Sequence, residues 1–389
     1  MKKRTHTKQL QVDELGLQQT ATVSPIITSE APMDEILSLA QQLIQIKSTQ
    51  ENLNELEDAV SVIGSRLTDF TIETFMAAQK PSLLIHNAKP GTKFFKIILN
   101  AHLDVVHGKE NQFIPYIANG KLYGRGAFDM KGAAATMQAV FSEVAKKVDY
   151  PLAFQIVADE ELASGQGTVV QLDKGISTDL AIIGECGSNL DIIHENKGLV
   201  HAVLTTNGYR AHGAYPWKGK NAIIKMHEAI NEIHKHFPVP ENETFETTVT
   251  VTMISSSNQI WNLVPDHCSA TLDIRVNRKD FAGIVEKIKS ILPEGVQFAI
   301  DNSRNAHYAD PENQYLKQLS KSIKTASGRT PKFRQTYGGA DTVFFSERGS
   351  QAIEFGPIGH GQHHDDEWVD IQSLVDYYKI LKNFLLGIK

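Results

Sequence analysis

Three short apolar segments each run into histidine or acidic side chains, and this recurrence restricts the fold more than any other feature of the chain. The segments cover residues 94–99, 152–157 and 180–183. Their β-branched and aromatic residues are typical of buried strands. The side chains that follow them are His102 and Asp104, then Glu160 and Glu161, then Glu185. Because α/β sheets collect their sites at the carboxyl ends of strands, the pattern predicts an α/β fold with a polar site at one sheet edge.

The types of these side chains indicate the chemistry of the site. His102 and Asp104 are two residues apart, so both side chains leave the same face of an extended chain. Imidazole and carboxylate without paired thiolates suit a catalytic zinc or a similar ion, often as a two-metal pair. Taken alone, this His-x-Asp also fits a surface histidine beside an unrelated acid. The acids at 159–161 repel one another unless a cation or a solvated loop relieves them.

A glycine-rich segment over 124–132 leads into a strongly helical stretch over 133–148. Asp129 lies between them, and two interpretations are open at this point. Its carboxylate is either an N-cap or first-turn residue that accepts from free backbone N–H groups, or a member of the polar site.

Composition excludes several classes of protein. The 389-residue chain is long enough for two domains, and its formal net charge of −6 supplies no basic field for nucleic acid or anionic lipid. Two cysteines do not make a disulfide framework. No apolar run approaches the ~18 residues of a membrane helix, and no apolar signal segment follows the basic start at Met1. We therefore expect a cytoplasmic protein with no membrane partner.

The order of the predicted elements indicates an insertion. We expect residues 1–32 to form a disordered arm, because they are polar and lack periodicity. Residues 198–305 have the order β-α-β-β-α-β, which is the ferredoxin-like pattern. Site-like segments resume after it, so this α+β domain is predicted to interrupt a catalytic domain made of 33–197 and 306–389.

Four motifs in this order resemble those of the M20 metallopeptidase family, which includes deacylases of N-acyl amino acids, dipeptidases and carboxypeptidases. They are His102-Leu-Asp104, the segment 124–132, Asp159-Glu-Glu161 and a terminal His-x-x-x-Glu. The resemblance runs from residue 33 to the C-terminus. It implies a zinc-peptidase-like domain with a central mixed sheet, and a lid or dimerisation domain inserted in it. It also implies two divalent metal ions, Zn first, with Co or Mn as alternatives.

The resemblance also implies roles for single residues. The expected metal ligands are His102, Asp129 as the bridge, Glu161, Glu185 and His363. Glu160 is the expected general base, and Asp104 is expected to orient His102, since a metal-bound histidine usually donates its other N–H to a carboxylate or carbonyl. His363 is chosen because it stands four residues before Glu367; His364 and, less strongly, His360 are alternatives.

The inserted domain carries further residues that the resemblance makes functional. His212 is expected to stabilise the oxyanion in the active site of a neighbouring subunit of a homodimer. Asn262 and Arg275 are expected to hold the substrate carboxylate, and Gly338 and Gly339 to present backbone N–H groups to it. Without the resemblance, Arg275 also fits a strand-surface ion pair, and Gly-Gly also fits an ordinary turn.

We expect a hydrolase that cleaves the amide bond of N-acyl amino acids. A dipeptidase or metallocarboxypeptidase of the same family is the alternative, and a non-catalytic metal-binding relative is a third. The loop after His102 departs from the family pattern, because it reads His107-Gly-Lys-Glu-Asn-Gln-Phe113 where members have Pro and a Trp-containing loop. This difference leaves the substrate's acyl group and amino acid open.

Overall fold

Nine α-helices are found in the described part of the chain, which comprises residues 32–161, 165–185, 187, 189–256 and 258–389 of a computed structural model. The predicted disordered arm lies, apart from Pro32, outside these residues. The helices are α1 Met33–Gln45, α2 Leu53–Ser65, α3 Gly132–Val144, α4 Gln166–Asp173, α5 Ala222–His236, α6 Ile284–Ile291, α7 Gln314–Ser327, α8 Thr342–Ser346 and α9 Ile371–Leu386. None of the described helices is both long and apolar enough to cross a membrane.

The strands of the same described residues form two large sheets and two small ones. They are β1 Thr71–Ala77, β2 Lys80–His86, β3 Phe94–His102, β4 Tyr116–Ala118, β5 Lys121–Tyr123, β6 Leu152–Val157, β7 Ser177–Ile183, β8 Ile192–Asn196, β9 Gly198–Asn207, β10 Ala211–His212, β11 Thr248–Ser256, β12 Leu263–Val264, β13 His267–Val276, β14 Val296–Arg304, β15 His307–Tyr308, β16 Phe333–Thr336, β17 Gln351–Glu354, β18 Gly359–His360 and β19 Trp368–Asp370.

The largest sheet is mixed, as predicted. Its order is β1-β2-β6-β3-β7-β17-β8-β15, with β16 also paired to β8. At its centre β6, β3, β7 and β17 run parallel. Alternate side chains of β3 enter different apolar cores: Ile97 and Leu99 face the layer containing α1, α3, α7 and α9, whereas Ile98 faces the layer containing α8. Burial on both faces explains why these strands have continuous apolar sequences.

A second sheet is inserted between β8 and β15. Its four strands are antiparallel in the order β11-β13-β9-β14, with α5 and α6 against one face and a separate apolar core. This is the topology that the β-α-β-β-α-β pattern predicts. The sequence analysis did not reveal the β1–β2 hairpin, although each of its strands has seven residues. It also missed the small sheet of order β18-β19-β5-β4, because two- and three-residue strands have no measurable periodicity.

The capping interpretation of Asp129 is wrong. Residues Ala127–Lys131 form one wide turn before α3, and Asp129 lies outside the helical region with φ −117° and ψ 93°. The N-cap position of α3 is occupied by Lys131. The Asp129 carboxylate is therefore available for contacts outside the helix.

Candidate metal centre

The carboxyl ends of three parallel strands bring four of the predicted residues to one edge of the large sheet. His102 is the last residue of β3, Glu160 and Glu161 follow β6, and Glu185 follows β7. Since β6, β3 and β7 are parallel neighbours, their ends meet at the same edge. We call His102, Asp129, Glu160, Glu161, Glu185 and His363 the strand-end cluster.

Asp129 lies between two imidazoles. Its Oδ1 is 3.1 Å from His102 Nε2, and its Oδ2 is 3.2 Å from His363 Nε2. A further acid approaches each ring: Glu185 Oε1 is 3.4 Å from His102 Nε2, and Glu161 Oε2 is 2.9 Å from His363 Nε2. The two oxygens of the Asp129 carboxylate thus face different histidines, and each histidine is also approached by a different glutamate.

The terminal loop presents the ring of His363 to the acids. His363 has a left-handed φ of 61°, which turns this loop back toward Asp129. The neighbouring His364 donates its backbone N–H to Gly361 O and accepts from Gln112 Nε2 at its carbonyl. The ring of His360 packs against Trp368, with ring centroids 6.0 Å apart.

Asp104 lies behind His102. His102 Nδ1 is 3.1 Å from the backbone oxygen of Asp104 and 3.6 Å from its Oδ1. The buried carboxylate accepts from the backbone N–H of Glu161 at 2.8 Å and from the side-chain amide of Gln50. Both the carbonyl and the carboxylate of Asp104 are thus placed to fix the ring of His102. The Gln50 contact was not anticipated, because nothing in its local sequence relates it to residue 104.

Glu367 holds the turn that carries Asp129. Its carboxylate accepts from the backbone N–H groups of Phe128 at 3.0 Å and Asp129 at 3.1 Å, and from Arg125 Nη1 at 2.7 Å. The side chains of Arg125 and Glu367 are 2% and 1% exposed. In the sequence Glu367 marks only the spacing of the terminal motif, and its contact with Asp129 becomes visible in the tertiary structure.

The strand-end cluster contains more acids than cations. Burial raises the pKa of Glu160 well above its ordinary value, and the charge of Glu185 adds to this effect. Burial also raises the pKa of Glu161. Hydrogen bonds to Asp129 and Glu161 raise the pKa of His363 to about 10. Four carboxylates against two imidazoles leave a deficit of positive charge, and this deficit is what a pair of divalent cations would fill.

The donor atoms are close enough to share an ion. Two groups have one ligand atom per residue with all atoms within 4.8 Å of one another: His102, Asp129 and Glu161, and His102, Glu160 and Glu185. Imidazole nitrogen and carboxylate oxygen are the ligands of catalytic zinc, and they also suit cobalt and manganese. The residues therefore fit the expected metals. Glu160, the expected base, belongs to the second of these groups, so its carboxylate lies within the same 4.8 Å of ligand atoms of His102 and Glu185.

A cavity of about 450 Å³ opens over the strand-end cluster. Gly338 and Gly339 line it, and a Cβ at either position would meet open space. Arg275 also lines it, while donating Nε and Nη2 to Asp273 at 2.8 and 3.1 Å. Arg275 thus lines the cavity and forms an ion pair on the strand surface at the same time.

His212 and Asn262 are not among the described residues that line this cavity. They lie together at the two-stranded β10–β12 sheet, where Asn262 directly precedes β12, Asn262 Nδ2 is 3.3 Å from His212 Nε2 and both residues are exposed. The structure therefore brings them to each other and not to the strand-end cluster of the same chain.

Two buried acids of the cavity wall escaped the sequence analysis. Burial raises the pKa of Asp341 to about 7 and that of Glu354 to about 8. The hydroxyl of Thr168 donates to Asp341, and the amide of Asn196 donates to Glu354. Asp341 stands two residues after Gly339, and this proximity to the two glycines was an available signal. Glu354 is the last residue of an apolar strand, and no other signal in its local sequence indicated a place in the cavity wall.

Comparison with known proteins identifies the family. The model of peptidase family M20/M25/M40 matches residues 98–387. The chain belongs to this family. It is therefore a hydrolase of amide or peptide bonds, and the resemblance seen in the motifs is confirmed.

Similar proteins cover almost the whole chain. A succinyl-diaminopimelate desuccinylase of Hydrogenovibrio crunogenus is 26% identical over 92% of this chain and 99% of its own length. A tripeptidase of Staphylococcus aureus has the same fold, with a TM-score of 0.76 at 16% identity over 92% of this chain and 98% of its own. An M20 metallo-carboxypeptidase of Sulfolobus solfataricus gives a TM-score of 0.73 at 16% identity over 91% and 99%.

Proposed function

We propose that this protein is a metal-dependent hydrolase that releases amino acids from N-acyl amino acids, with Glu160 as its general base. The observation that carries the proposal is Asp129 between the rings of His102 and His363, with Glu160 beside them under one cavity. Family membership and the similarity to a desuccinylase support it.

The proposed metal ligands are His102, Asp129, Glu161, Glu185 and His363, with Zn, Co or Mn as the ions. When bound, such ions polarise the scissile carbonyl and lower the pKa of the attacking water. Glu160 takes the proton of that water during attack and returns it to the leaving nitrogen. Asp104 keeps the ring of His102 in place from behind.

Substrate positioning falls to residues around the cavity. Arg275 holds the α-carboxylate through N–H groups that its pair with Asp273 does not use, since a guanidinium has five donors and this pair takes two. Gly338 and Gly339 present their backbone to the bound substrate.

The inserted segment, proposed as domain 198–305 between catalytic parts 33–197 and 306–389, completes the site of a second subunit. His212 and Asn262 are exposed and lie outside their own cavity, so we propose that they act across a homodimer, with His212 at the oxyanion. The large exposed side chains Trp217 and Trp261, 74% and 103% exposed, lie in the segments that carry them and suit a contact with another chain. The cytoplasm is the proposed compartment, in line with the low cysteine content.

A peptidase acting on dipeptides is the second candidate, because Arg275 fits the C-terminal carboxylate of a peptide equally well. Purified protein loaded with Zn, Co or Mn should be assayed on N-acetyl and N-succinyl amino acids and on dipeptides. We expect faster turnover of the N-acyl amino acids, and loss of activity with a chelator. Preferred cleavage of dipeptides would establish the second candidate. Trace metal content with activity unchanged by chelation would refute both.

A further inference from the structure

Two arginines of the inserted sheet stand in one row across the cavity from the strand-end cluster. Leu199 of β9 pairs with Arg275 of β13 on one side and with Arg304 of β14 on the other. Directly opposed residues of antiparallel strands project from the same face of a sheet. All three residues line the cavity. The two guanidinium groups therefore approach the same space from Cα positions about 10 Å apart, two strand spacings.

This face is the open side of the inserted sheet. In β9, Val200, Ala202 and Leu204 enter the apolar core under α5 and α6. Leu199 and His201 alternate with them and point the other way, toward the cavity that both residues line. We call Leu199, His201, Asp273, Arg275 and Arg304 the inserted face.

A β-bulge puts Arg304 on this face. Val296 and Phe298 of β14 pack against the apolar core. Continued alternation from them would turn residue 304 to the same core side. The register of β14 against β9 shifts between Ile300 and Asn302, and the extra residue reverses the alternation. Bulges commonly re-aim a side chain in this way next to a site.

Charge is divided between the two sides of the cavity. Acids dominate the strand-end cluster, whereas both arginines that line the cavity belong to the inserted face. Asp273 engages Arg275, and its Oδ2 is also 3.5 Å from His201 Nε2. The guanidinium of Arg304 lies 5.4 Å from the ring centroid of Phe344 of α8, which suits a planar group held for bidentate recognition.

We propose that Arg304 is a specificity-determining residue that binds a second carboxylate of the substrate, while Arg275 binds the α-carboxylate. The substrate class is therefore N-acyl amino acids with two carboxylates. The second carboxylate comes from a dicarboxylic acyl group or from an acidic amino-acid side chain, which present the same chemistry to a guanidinium. This inference rests on the proposed function for the orientation of the substrate.

Two matched substrate pairs test the proposal on the metal-loaded, full-length protein. N-acetylglutamate is compared with N-acetylglutamine, and N-succinylalanine with its succinamoyl analogue, so that each pair differs by one charge. Arg304→Gln should lower kcat/KM for the preferred dianion about 10- to 100-fold and change its neutral-ended partner less than about threefold. The kcat/KM of Arg304→Lys for the preferred dianion should lie between the values for Arg304→Gln and the wild type. The pair that responds identifies the source of the carboxylate.

Arg278→Gln is the control, because Arg278 is exposed, lies against Tyr308 and is not among the lining residues. It should behave as the wild type, and thermal melting should show all variants folded. Equal losses on both members of each pair, or no loss on either, would overturn the role of Arg304.

A binding measurement separates this inference from the proposed function. Calorimetry on the Glu160→Gln protein compares N-acetylglutamate with N-acetylglutamine, and N-succinylalanine with its amide, with and without Arg304→Gln. Should the wild type hydrolyse none of these compounds, the proposed function fails. Tighter binding of a dianion that depends on Arg304 would still support the inference, and its absence would reject it.

Discussion

The strand-end cluster and the inserted face meet at one cavity, but they are built differently. The strand-end cluster gathers side chains from the ends of parallel strands and two loops, and Glu160 and Glu161 are adjacent in the chain. The inserted face consists of regular positions on three antiparallel strands, related only by their pairing. The strand-end cluster can therefore be recognised from short sequence motifs, whereas the inserted face depends on the register in which its strands pair. We expect the first to supply the chemistry and the second to select the substrate.

The largest expected effect is that of Glu160→Gln. If the strand-end cluster alone supplies the chemistry, kcat should fall about 10⁴-fold, at the upper end for a general base, with metal content near that of the wild type. Glu161→Gln is the adjacent control and should lose metal as well as activity. A Glu160→Gln protein that loses metal while Glu161→Gln keeps it would show that the roles of the two glutamates are reversed.

Mixing two inactive variants tests whether the inserted segment works on another subunit. His212→Ala and Glu160→Gln are each expected to be at least about 10²-fold impaired. In a mixed dimer one site receives intact Glu160 from one chain and intact His212 from the other. Co-refolding should restore at most about one quarter of wild-type activity by random pairing. Mixtures that exchange subunits but stay inactive would place His212 in its own site or outside catalysis.

Glu367→Gln tests whether the strand-end cluster needs its supporting contacts. The substitution keeps the size of the side chain but removes the charge that faces Arg125 and the N–H groups of Phe128 and Asp129. We expect metal affinity to fall about 10- to 100-fold, as is usual when a partner of a ligand is lost. Glu57→Gln, on the exposed side of α2, is the control. Unchanged affinity measured by competition with a chromogenic chelator would contradict this role.

The smallest effect concerns His307, where the chain returns from the inserted sheet to the large one. Burial lowers its pKa to about 4 from 6.5. Between these two pKa values, His307 is protonated in the unfolded chain but not in the folded state. The free energy of unfolding therefore falls as the pH drops from 6.5 to 4. The loss approaches about 1.4 kcal/mol per pH unit within this window. His307→Gln should show a shallower pH dependence in urea unfolding of metal-free protein, and an equal slope would reject the assignment.

Sequence reasoning reached most of the fold because its strongest signals are local. The bounds of β6 agree with the predicted segment 152–157 to the residue. The sequence analysis missed Gln50, Glu354 and the contact of Glu367 with Asp129. Each of these contacts joins residues that are far apart in the chain. A hydrogen bond across such a separation depends on how elements pack, and no local pattern encodes it.

The sequence by itself determined the family, the mixed α/β fold with its inserted β-α-β-β-α-β segment, and the candidates at the strand ends. It could do so because strand alternation and ligand spacing are properties of short stretches. Only the tertiary structure decided that Asp129 lies outside the helical region with its carboxylate between two imidazoles, and that Arg304 stands in the row of Arg275. The physical reason is that one extra residue in a strand reverses which face every later side chain takes, and pairing with a neighbouring strand fixes where that residue is placed.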